Sequence, residues 1–289
     1  MLRIAKDWQD YECIDAADKE KLERFNNVIL RRPDPNAMWS HPKDKSWNNI
    51  DGFYHRDDTG GGCWEYKKPL AEYWTLKYKE LTFKVSPTNF KHTGIFPEQA
   101  ANWDYVMNKI RTSNRHIKVL NLFAYTGCAT IAASYAGAEV VHVDSSKGMV
   151  DWAKENAKLS GVENNNIRFI VDDCIKFVER EARRGNKYQG IIMDPPSYGR
   201  GPNKEIWKIE DHLHELISKC LEILDDEPLF FLISSYTAGF STLILENILK
   251  TTVLNKFPNG KVETGDLGLP ITKQDLILPC GIFGRVDYD

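Results

Sequence analysis

Three apolar segments, each ending in a turn or an acidic residue, restrict the fold of this chain more than any other feature. Residues 119–128 read as a strand that runs into a glycine turn, residues 140–144 as a strand that ends in an acid, and residues 190–196 as a strand that ends in Asp-Pro-Pro. In parallel sheets, ligands bind at the carboxyl ends of the strands. The order of the segments therefore predicts a nucleoside-type cofactor at that edge, with a polar reacting group presented to Asp194.

Strand and helix patterns alternate from about residue 98, which predicts an α/β fold with a parallel sheet and right-handed crossovers. Strands are predicted at 117–123, 139–144, 167–172, 189–194 and 229–234. Helices are predicted at 98–111, 129–135, 146–160, 173–184 and 209–224. The stretches 261–267 and 276–286 are expected to add an antiparallel pair of strands at one edge.

The first 90 residues have a different composition from the rest. They hold five of the eight tryptophans, together with turn signals and short alternating runs at 27–31 and 81–85. Such runs are typical of strands. We therefore predict a small β-rich N-terminal unit at residues 1–90, packed on a main domain at residues 91–289.

Composition and charge exclude several classes of protein. The formal net charge of −3 gives no global electrostatic case for nucleic-acid binding, although a local basic patch stays possible. The six cysteines are scattered without a C-x-x-C pair, which disfavours a zinc ribbon and fits a reducing cytosol. His55 and His92 have no ligand-spaced partners, so no metal is predicted. With neither a signal-peptide pattern nor a long apolar run, we expect a cytoplasmic protein that does not span a membrane.

The turn after the first predicted sheet strand carries one glycine, Gly127. Its small size allows the backbone to approach a ligand, and the next helix points its amides there. Asp144 ends the following strand, 17 residues later, where a carboxylate can accept from ribose hydroxyls. A nicotinamide dinucleotide needs the several glycines of G-x-G-x-x-G, so a cofactor without a pyrophosphate is favoured. A plain turn at Gly127 and a helix N-cap at Asp144, with Ser145 and Ser146 as competitors, remain structural alternatives.

Two further acids follow the third predicted sheet strand. Asp172 or Asp173 can accept a hydrogen bond from an adenine amino group at that strand end. Either can equally cap the next helix.

The segment Asp194-Pro-Pro-Ser-Tyr198 is the sharpest local signal. Two prolines directly after a buried strand stop the ladder and fix a rigid turn. That turn can hold the Asp194 carboxylate and nearby carbonyls against a flat polar group, with Tyr198 as a stacking platform. The alternative is a strand-ending turn in which the aspartate has only a structural role as a cap.

Six segments together carry a resemblance to a known family: Thr93-Gly-Ile-Phe-Pro-Glu-Gln99, Asn121-Leu-Phe-Ala-Tyr-Thr-Gly127, Val143-Asp-Ser-Ser146, Trp152-Ala-Lys-Glu-Asn156, Asp172-Asp173 and Asp194-Pro-Pro-Ser-Tyr198. Over about residues 80–289 the chain resembles the class I S-adenosylmethionine-dependent methyltransferases. More narrowly, it is similar to the large-subunit ribosomal RNA methyltransferases that modify cytosine C5 or guanine N7. The resemblance implies a Rossmann-like, seven-stranded, mostly parallel sheet and an enzyme that uses S-adenosylmethionine.

The resemblance also implies roles for individual residues. Phe96 and Gln99 are expected to flank the methionine end of the cofactor, Asp144 to hold the ribose and Asp173 to face the adenine. The predicted cofactor-binding set is Phe96, Gln99, Asn121, Phe123, Ala124, Tyr125, Thr126, Gly127, Asp144, Ser145, Asp172, Asp173 and Asp194. The predicted catalytic set, which orients or stacks on the acceptor, is Asp194, Pro195, Pro196 and Tyr198.

The chain departs from the cytosine-C5 pattern at the acceptor side. Cytosine C5 becomes nucleophilic only after a cysteine thiolate has bonded to C6, and in the similar enzymes that cysteine follows the fifth sheet strand. Residues 233–236 read Ile-Ser-Ser-Tyr here, so C5 methylation is disfavoured. Enzymes that methylate exocyclic amines have an aromatic residue directly after Pro-Pro, whereas here Ser197 intervenes before Tyr198. Methylation of a ring nitrogen or another heteroatom remains open.

Ribosomal RNA is the expected substrate. Six lysines between residues 67 and 91 are interleaved with aromatic residues that could stack on bases, and Arg200 and Lys204 follow the Asp-Pro-Pro turn. A solvated strand face over an aromatic core explains the lysines equally well. The alternatives are a methyltransferase of a protein or small molecule and a cofactor-binding RNA-associated protein without turnover.

Overall fold

The computed structural model of the chain describes residues 1–57, 61–200 and 206–288, with only the backbone described at Arg200. It contains two compact units. The β unit comprises Ile4–Ala100 and Leu267–Cys280, and the α/β unit comprises Met1–Arg3, Ala101–Asp266 and the chain from Gly281 onward. The domain boundary at residue 90 stays a prediction.

The strands in chain order are β1 (Leu2–Ile4), β2 (Tyr11–Ala17), β3 (Glu20–Phe25), β4 (Val28–Pro33), β5 (Gly52–Arg56), β6 (Gly62–Tyr66), β7 (Trp74–Tyr78), β8 (Leu81–Val85), β9 (Lys118–Leu122), β10 (Glu139–Asp144), β11 (Ile167–Val171), β12 (Gly190–Met193), β13 (Tyr198–Arg200), β14 (Ile206–Lys208), β15 (Phe230–Ser235), β16 (Lys261–Ile271) and β17 (Leu276–Asp287). The α-helices are α1 (Ala100–Thr112), α2 (Cys128–Tyr135), α3 (Lys147–Leu159), α4 (Cys174–Arg184), α5 (Ile209–Ile223), α6 (Thr242–Thr251) and α7 (Val253–Lys256). Short 3₁₀ helices occupy Lys45–Asn48 and Pro97–Gln99.

The β unit is built on antiparallel strands. β3 pairs antiparallel with β2 and β4, β5 pairs parallel with β4 and antiparallel with β6, and β7 and β8 form a separate antiparallel pair. Leu22, Phe25 and Leu30 are completely buried, which is the burial expected of strands with one face toward a core. The strand content expected for the N-terminal residues is present.

A buried ion pair lies among these strands. The Glu23 carboxylate accepts two hydrogen bonds from Arg32, at 2.7 and 2.8 Å, and one of 2.7 Å from the Tyr11 hydroxyl. The Lys21 ammonium lies 3.4 Å from Glu23 and 3.2 Å from Asp34. Glu23 is completely buried, so its charge depends on these partners.

The α/β unit is organised around seven neighbouring strands of a larger sheet, in the order β11-β10-β9-β12-β15-β17-β16. β9 to β12 and β15 run parallel, and β17 is antiparallel to β15. Every residue of β12 and β15 is buried, as expected for parallel strands covered on both faces. The predicted fold class, α/β with a Rossmann-like, mostly parallel sheet and N-terminal antiparallel strands, is confirmed.

Helices cover both faces of this sheet. Leu120 and Val141 belong to a core cluster with α4 and α5, whereas Val119 and Val140 belong to a second cluster with α1 and α2. This division follows from the alternation of side chains along a strand. β9 and β10 are therefore held between two layers of helices, and a ligand can bind at their carboxyl ends.

The β13–β14 hairpin and the helices α6 and α7 of the α/β unit were not predicted from the sequence. The turn after Pro196 leads into an antiparallel hairpin of β13 and β14, in which Tyr198 pairs with Lys208. Helix α6 begins after Ser241, whose hydroxyl accepts from the Ile244 amide.

Candidate functional site

Three neighbouring parallel strands end level with one another in the α/β unit. Leu122, the last residue of β9, is in register with Val143 of β10 and with Met193 of β12. The chain proceeds from β9 toward β10 and β11 on one side, and β12 and β15 lie on the other. The space between β9 and β12 is therefore a topological switch point, the place where open α/β sheets bind ligands.

The residues that follow these strand ends come from three of the predicted motifs. Phe123 follows β9, Asp144 ends β10, and Asp194 follows β12. The Asp194 amide donates to the Leu122 carbonyl at 3.4 Å, and Asp194 is half-buried. The structure thus brings the glycine turn, the strand-ending acid and the Asp-Pro-Pro turn to one edge of the sheet.

The turn between β9 and α2 has an unusual backbone. Phe123 and Tyr125 have φ values of 53° and 52°, in the left-handed region that non-glycine residues rarely occupy. Gly127 has φ 81° and immediately precedes α2. A Cβ at this position would lie 2.7 Å from the Ala153 Cβ, so both the backbone angle and the packing require glycine. Such conformations persist where the surrounding structure imposes them, often at ligand sites.

Asp144 holds the same turn from the neighbouring strand. One carboxylate oxygen accepts from the Tyr125 amide at 2.8 Å, and the other accepts from the Ser146 amide at 2.8 Å. Burial raises the pKa of Asp144, and the two backbone hydrogen bonds oppose this shift. Each carboxylate oxygen keeps lone-pair capacity for a further donor. The N-cap position of α3 is occupied by Ser146, so Asp144 supports the segment before the helix and can also accept from a ligand hydroxyl.

A chain of buried polar side chains lies beneath the turn. The Asn121 amide donates to the Thr130 hydroxyl at 2.9 Å, and this hydroxyl lies 3.0 Å from Nδ1 of His142. Burial, assisted by the Lys154 charge, lowers the pKa of His142 to about 3, so its ring is neutral. The Asn156 amide donates to the Thr126 carbonyl at 2.8 Å. These contacts fix the orientation of the turn.

Thr130, His142 and Asn156 were not among the predicted site residues. Only Asn156 had a sequence signal, because it ends one of the six segments that carry the family resemblance. His142 looks like an ordinary strand residue in Val-Val-His-Val, and its role depends on its contact with Thr130 of α2.

Asp172 and Asp173, the two acids after β11, both contact helix α4. Asp173 caps α4 by accepting from the Lys176 amide at 2.9 Å, and Asp172 forms an ion pair with Arg180. The capping alternative therefore applies to Asp173. A contact of either residue with an adenine ring stays a prediction.

The Asp-Pro-Pro turn is held by hydrogen bonds to its carbonyls. The Trp207 indole donates to the Pro196 carbonyl at 2.6 Å, and the Ile209 amide donates to the Ser197 carbonyl at 3.1 Å. The Ser197 hydroxyl lies 2.7 Å from that of Thr237. Tyr198 is 50% exposed, which leaves ring surface for stacking.

Several predicted residues lie elsewhere. Phe96 and Gln99 belong to the β unit, where Phe96 precedes the 3₁₀ helix Pro97–Gln99, and their contact with a cofactor stays a prediction. The Arg200 side chain and Lys204 lie outside the described residues.

The thiols of the α/β unit are unsuited to nucleophilic attack. Cys128, Cys174 and Cys220 are buried, and burial raises the pKa of each thiol, to about 12 for Cys128. The Cys174 sulfur accepts from the Phe123 amide at 3.3 Å. Thiolates are the reactive form, so these residues serve packing.

The described ranges contain neither a metal-binding group nor a membrane-spanning helix. Among residues 1–57, 61–200 and 206–288, no three His, Cys, Asp or Glu side chains are grouped so that they could hold a metal ion. Within the same part of the chain, no helix is long and apolar enough to cross a membrane.

Comparison with known proteins identifies related chains. The family described as S-adenosylmethionine-dependent methyltransferase matches residues 39–225. The solved structure of the SAM-dependent methyltransferase from Agrobacterium tumefaciens has 35% sequence identity and a TM-score of 0.93, and the match covers 99% of this chain and 93% of that one.

Two curated relatives carry more specific names. The ribosomal RNA large subunit methyltransferase K of Neisseria meningitidis is 24% identical over 261 residues, covering 85% of this chain and 73% of the relative. The ribosomal RNA large subunit methyltransferase K/L of Shewanella frigidimarina is 32% identical over 144 residues, covering 49% of this chain and 19% of the relative. The match with the K/L protein thus spans about a fifth of that relative's length.

Proposed function

Because the chain belongs to the S-adenosylmethionine-dependent methyltransferase family, we propose that it transfers a methyl group from S-adenosylmethionine to a nucleotide of ribosomal RNA. The observation that carries the proposal is the alignment of the strand ends, with Asp144 and Asp194 on either side of the turn that follows Leu122. The relatives named ribosomal RNA large subunit methyltransferases support the choice of substrate.

The residues at this edge fit the cofactor. Asp144 has acceptor capacity for the ribose hydroxyls, the turn from Phe123 to Gly127 would lie beneath the nucleoside, and Asp173 would face the adenine. Roles for Phe96 and Gln99 at the methionine end rest on the family resemblance and not on the geometry of this edge. The bound sulfonium supplies a methyl group that is already activated for transfer.

The chain's own contribution to the reaction is alignment. Asp194 and the carbonyls of Pro195 and Pro196 would orient the acceptor atom, and Tyr198 would stack on its ring. Two prolines and the hydrogen bonds to Pro196 and Ser197 keep this turn rigid. A rigid acceptor site lowers the entropic cost of reaching an in-line geometry and excludes water from it.

The acceptor is inferred to be a heteroatom rather than cytosine C5. β15 ends in Ser234 and Ser235, which are buried, and the described cysteines of the α/β unit have raised thiol pKa values. A nitrogen or oxygen acceptor needs no covalent activation. It needs only orientation and, where it carries a proton, a base such as the Asp194 carboxylate.

The RNA substrate implies a cytoplasmic site of action and a surface that contacts phosphates and bases. In the β unit, Tyr73 and Phe90 are exposed, and the Lys84 ammonium lies 4.8 Å from the centre of the Tyr73 ring. Lys67 and Lys68 are ion-paired with Glu65 and Asp51, which reduces their availability to phosphates.

Transfer of a radiolabelled methyl group tests the proposal. The protein is incubated with labelled S-adenosylmethionine and ribosomal RNA from a strain that lacks its gene, and the modified nucleoside is then identified. The expected result is label that ribonuclease releases and protease does not. Label in protein or in small molecules would contradict the RNA substrate, and cofactor binding with no transfer to any of these pools would contradict an enzyme. The Asp194→Ala variant controls for contaminating methyltransferases.

A further inference from the structure

Trp207 lies at the centre of the hairpin that follows the Asp-Pro-Pro turn. It belongs to β14 and pairs with Gly199 of β13. Its indole N–H donates to the Pro196 carbonyl at 2.6 Å. Pro195 and Pro196 have no amide N–H, so this turn offers fewer donors of its own and is held through its acceptors. The indole is one of the groups that hold it.

The Trp207 ring also contacts the turn after β9. Its centre lies 5.2 Å from that of the Phe123 ring, at an interplanar angle of 50°. Phe123 has the left-handed backbone at the beginning of the predicted cofactor turn. Aromatic pairs at this distance and tilt attract each other beyond the burial of their surface. One side chain therefore contacts both the cofactor turn and the acceptor turn.

His212 holds the Trp207 ring from α5. The two ring centres lie 5.5 Å apart at an interplanar angle of 26°. Nδ1 of His212 lies 2.9 Å from the Lys208 carbonyl oxygen and 3.2 Å from the Lys208 amide nitrogen, and a hydrogen bond with either group fixes the orientation of the imidazole. The indole is thus placed by Phe123, Pro196 and His212 together.

We propose that Trp207 is a positioning residue that couples the turn beneath the cofactor to the turn that orients the acceptor. This inference rests on the proposed function of the site. Trp207 acts through Phe123 and the Pro196 carbonyl and does not itself react. The hydrogen bond from its indole N–H holds the acceptor turn in position. Because its ring packs on Phe123, a movement of the cofactor turn also moves the indole.

Two substitutions separate the two contacts. Trp207→Phe keeps an aromatic ring against Phe123 but loses the hydrogen bond to Pro196. We expect kcat to fall about three- to tenfold with S-adenosylhomocysteine affinity unchanged, the range for one lost hydrogen bond. Trp207→Leu loses both contacts, and the affinity should then also fall by about two- to tenfold. Ile206→Thr is the matched control, because Ile206 is an exposed residue of the same strand.

The coupling also has a readout that needs no turnover. With ¹⁵N-labelled tryptophan, the indole N–H resonance of Trp207 is assigned by its loss in Trp207→Phe or Trp207→Tyr. We expect it to shift when S-adenosylhomocysteine binds, because the cofactor turn contacts the indole ring through Phe123. The shift should persist in Ile206→Thr.

The outcomes distinguish this inference from the proposed function. A resonance that does not respond to saturating S-adenosylhomocysteine, or a Trp207→Phe variant with a lower melting temperature and unchanged kcat, overturns the positioning role. If no methyl group reaches RNA, the proposed function fails, and the indole resonance still decides whether the turns are coupled.

Discussion

Replacing Gly127 with alanine tests whether the turn after β9 is built around glycine. Gly127 has φ 81° and ψ 16°, and an added Cβ would lie 2.7 Å from the Ala153 Cβ and 3.3 Å from Cε1 of His142. The left-handed conformation costs an L-residue about 1–2 kcal/mol. Crowding in a packed region costs about 1–3 kcal/mol more. Gly127→Ala should therefore lower the free energy of unfolding by about 2–5 kcal/mol.

Gly185 provides a matched control. It follows α4 with φ 69° and ψ 20°, close to the angles of Gly127, but among the described residues other than its chain neighbours no atom lies within 4 Å of the position that an added Cβ would occupy. Gly185→Ala should lose only the conformational part, about 1–2 kcal/mol. The difference between the two variants isolates the contact with Ala153 and His142.

Urea denaturation and calorimetric titration with S-adenosylhomocysteine provide the measurements. Gly127→Ala should have the lower urea midpoint and a weakened affinity, because relief of the contact moves the turn. Gly185→Ala should bind S-adenosylhomocysteine normally. Equal midpoints and equal affinities for the two variants would refute the claim that the Gly127 turn is packed tightly beneath the cofactor.

Three further predictions concern individual side chains. Asp144→Ala should weaken S-adenosylhomocysteine binding by about 1–3 kcal/mol in calorimetry, through loss of a charged acceptor. An unchanged affinity in a folded variant would show that Asp144 only supports the local backbone. Glu23→Ala should destabilise the protein by about 3–5 kcal/mol, because Arg32 stays buried without its partner. Burial alone would raise the pKa of Glu23, but Arg32 and Lys21 outweigh it and lower the pKa to about 2. Its stabilising contribution is therefore present above about pH 4.3, the unfolded value, and is lost as the pH falls toward 2. The difference between the urea midpoints of the wild type and Glu23→Ala should therefore shrink over this range of pH. Replacement of Cys128, Cys174 or Cys220 by serine should leave methyl transfer per folded molecule unchanged. A covalent adduct with 5-fluorocytosine RNA that one of these replacements abolishes would contradict this prediction.

The strand ends of the α/β unit could be predicted because the information is local. Apolar runs ending in Gly127, Asp144 and Asp194 each combine strand patterning with a turn signal, and parallel strands bring such ends to one edge. For the five parallel strands the predicted bounds differ from the observed ones by one residue at most; β10, for example, spans Glu139–Asp144 as expected. β16 was predicted to end at residue 267 and extends to Ile271.

The support of the site could not be predicted, because it depends on contacts between distant segments. His142 of β10 contacts Thr130 of α2, and Trp207 contacts Phe123, which lies 84 residues earlier in the chain. No periodicity or motif records such contacts. The β13–β14 hairpin is also too short to give an alternating pattern, since each strand has three residues.

The rate of a single turnover by Asp194→Ala tests the central claim most directly. Protein preloaded with labelled S-adenosylmethionine is mixed with ribosomal RNA from the deletion strain, with Asp226→Ala, at an exposed aspartate, as control. If Asp194 orients the acceptor, the rate should fall by about 10²-fold or more, and the melting temperature should stay near that of the wild type. The affinity for S-adenosylhomocysteine should change less than in Asp144→Ala. A near-normal rate with a lowered melting temperature would show that the Asp-Pro-Pro turn is structural and that the acceptor is oriented elsewhere.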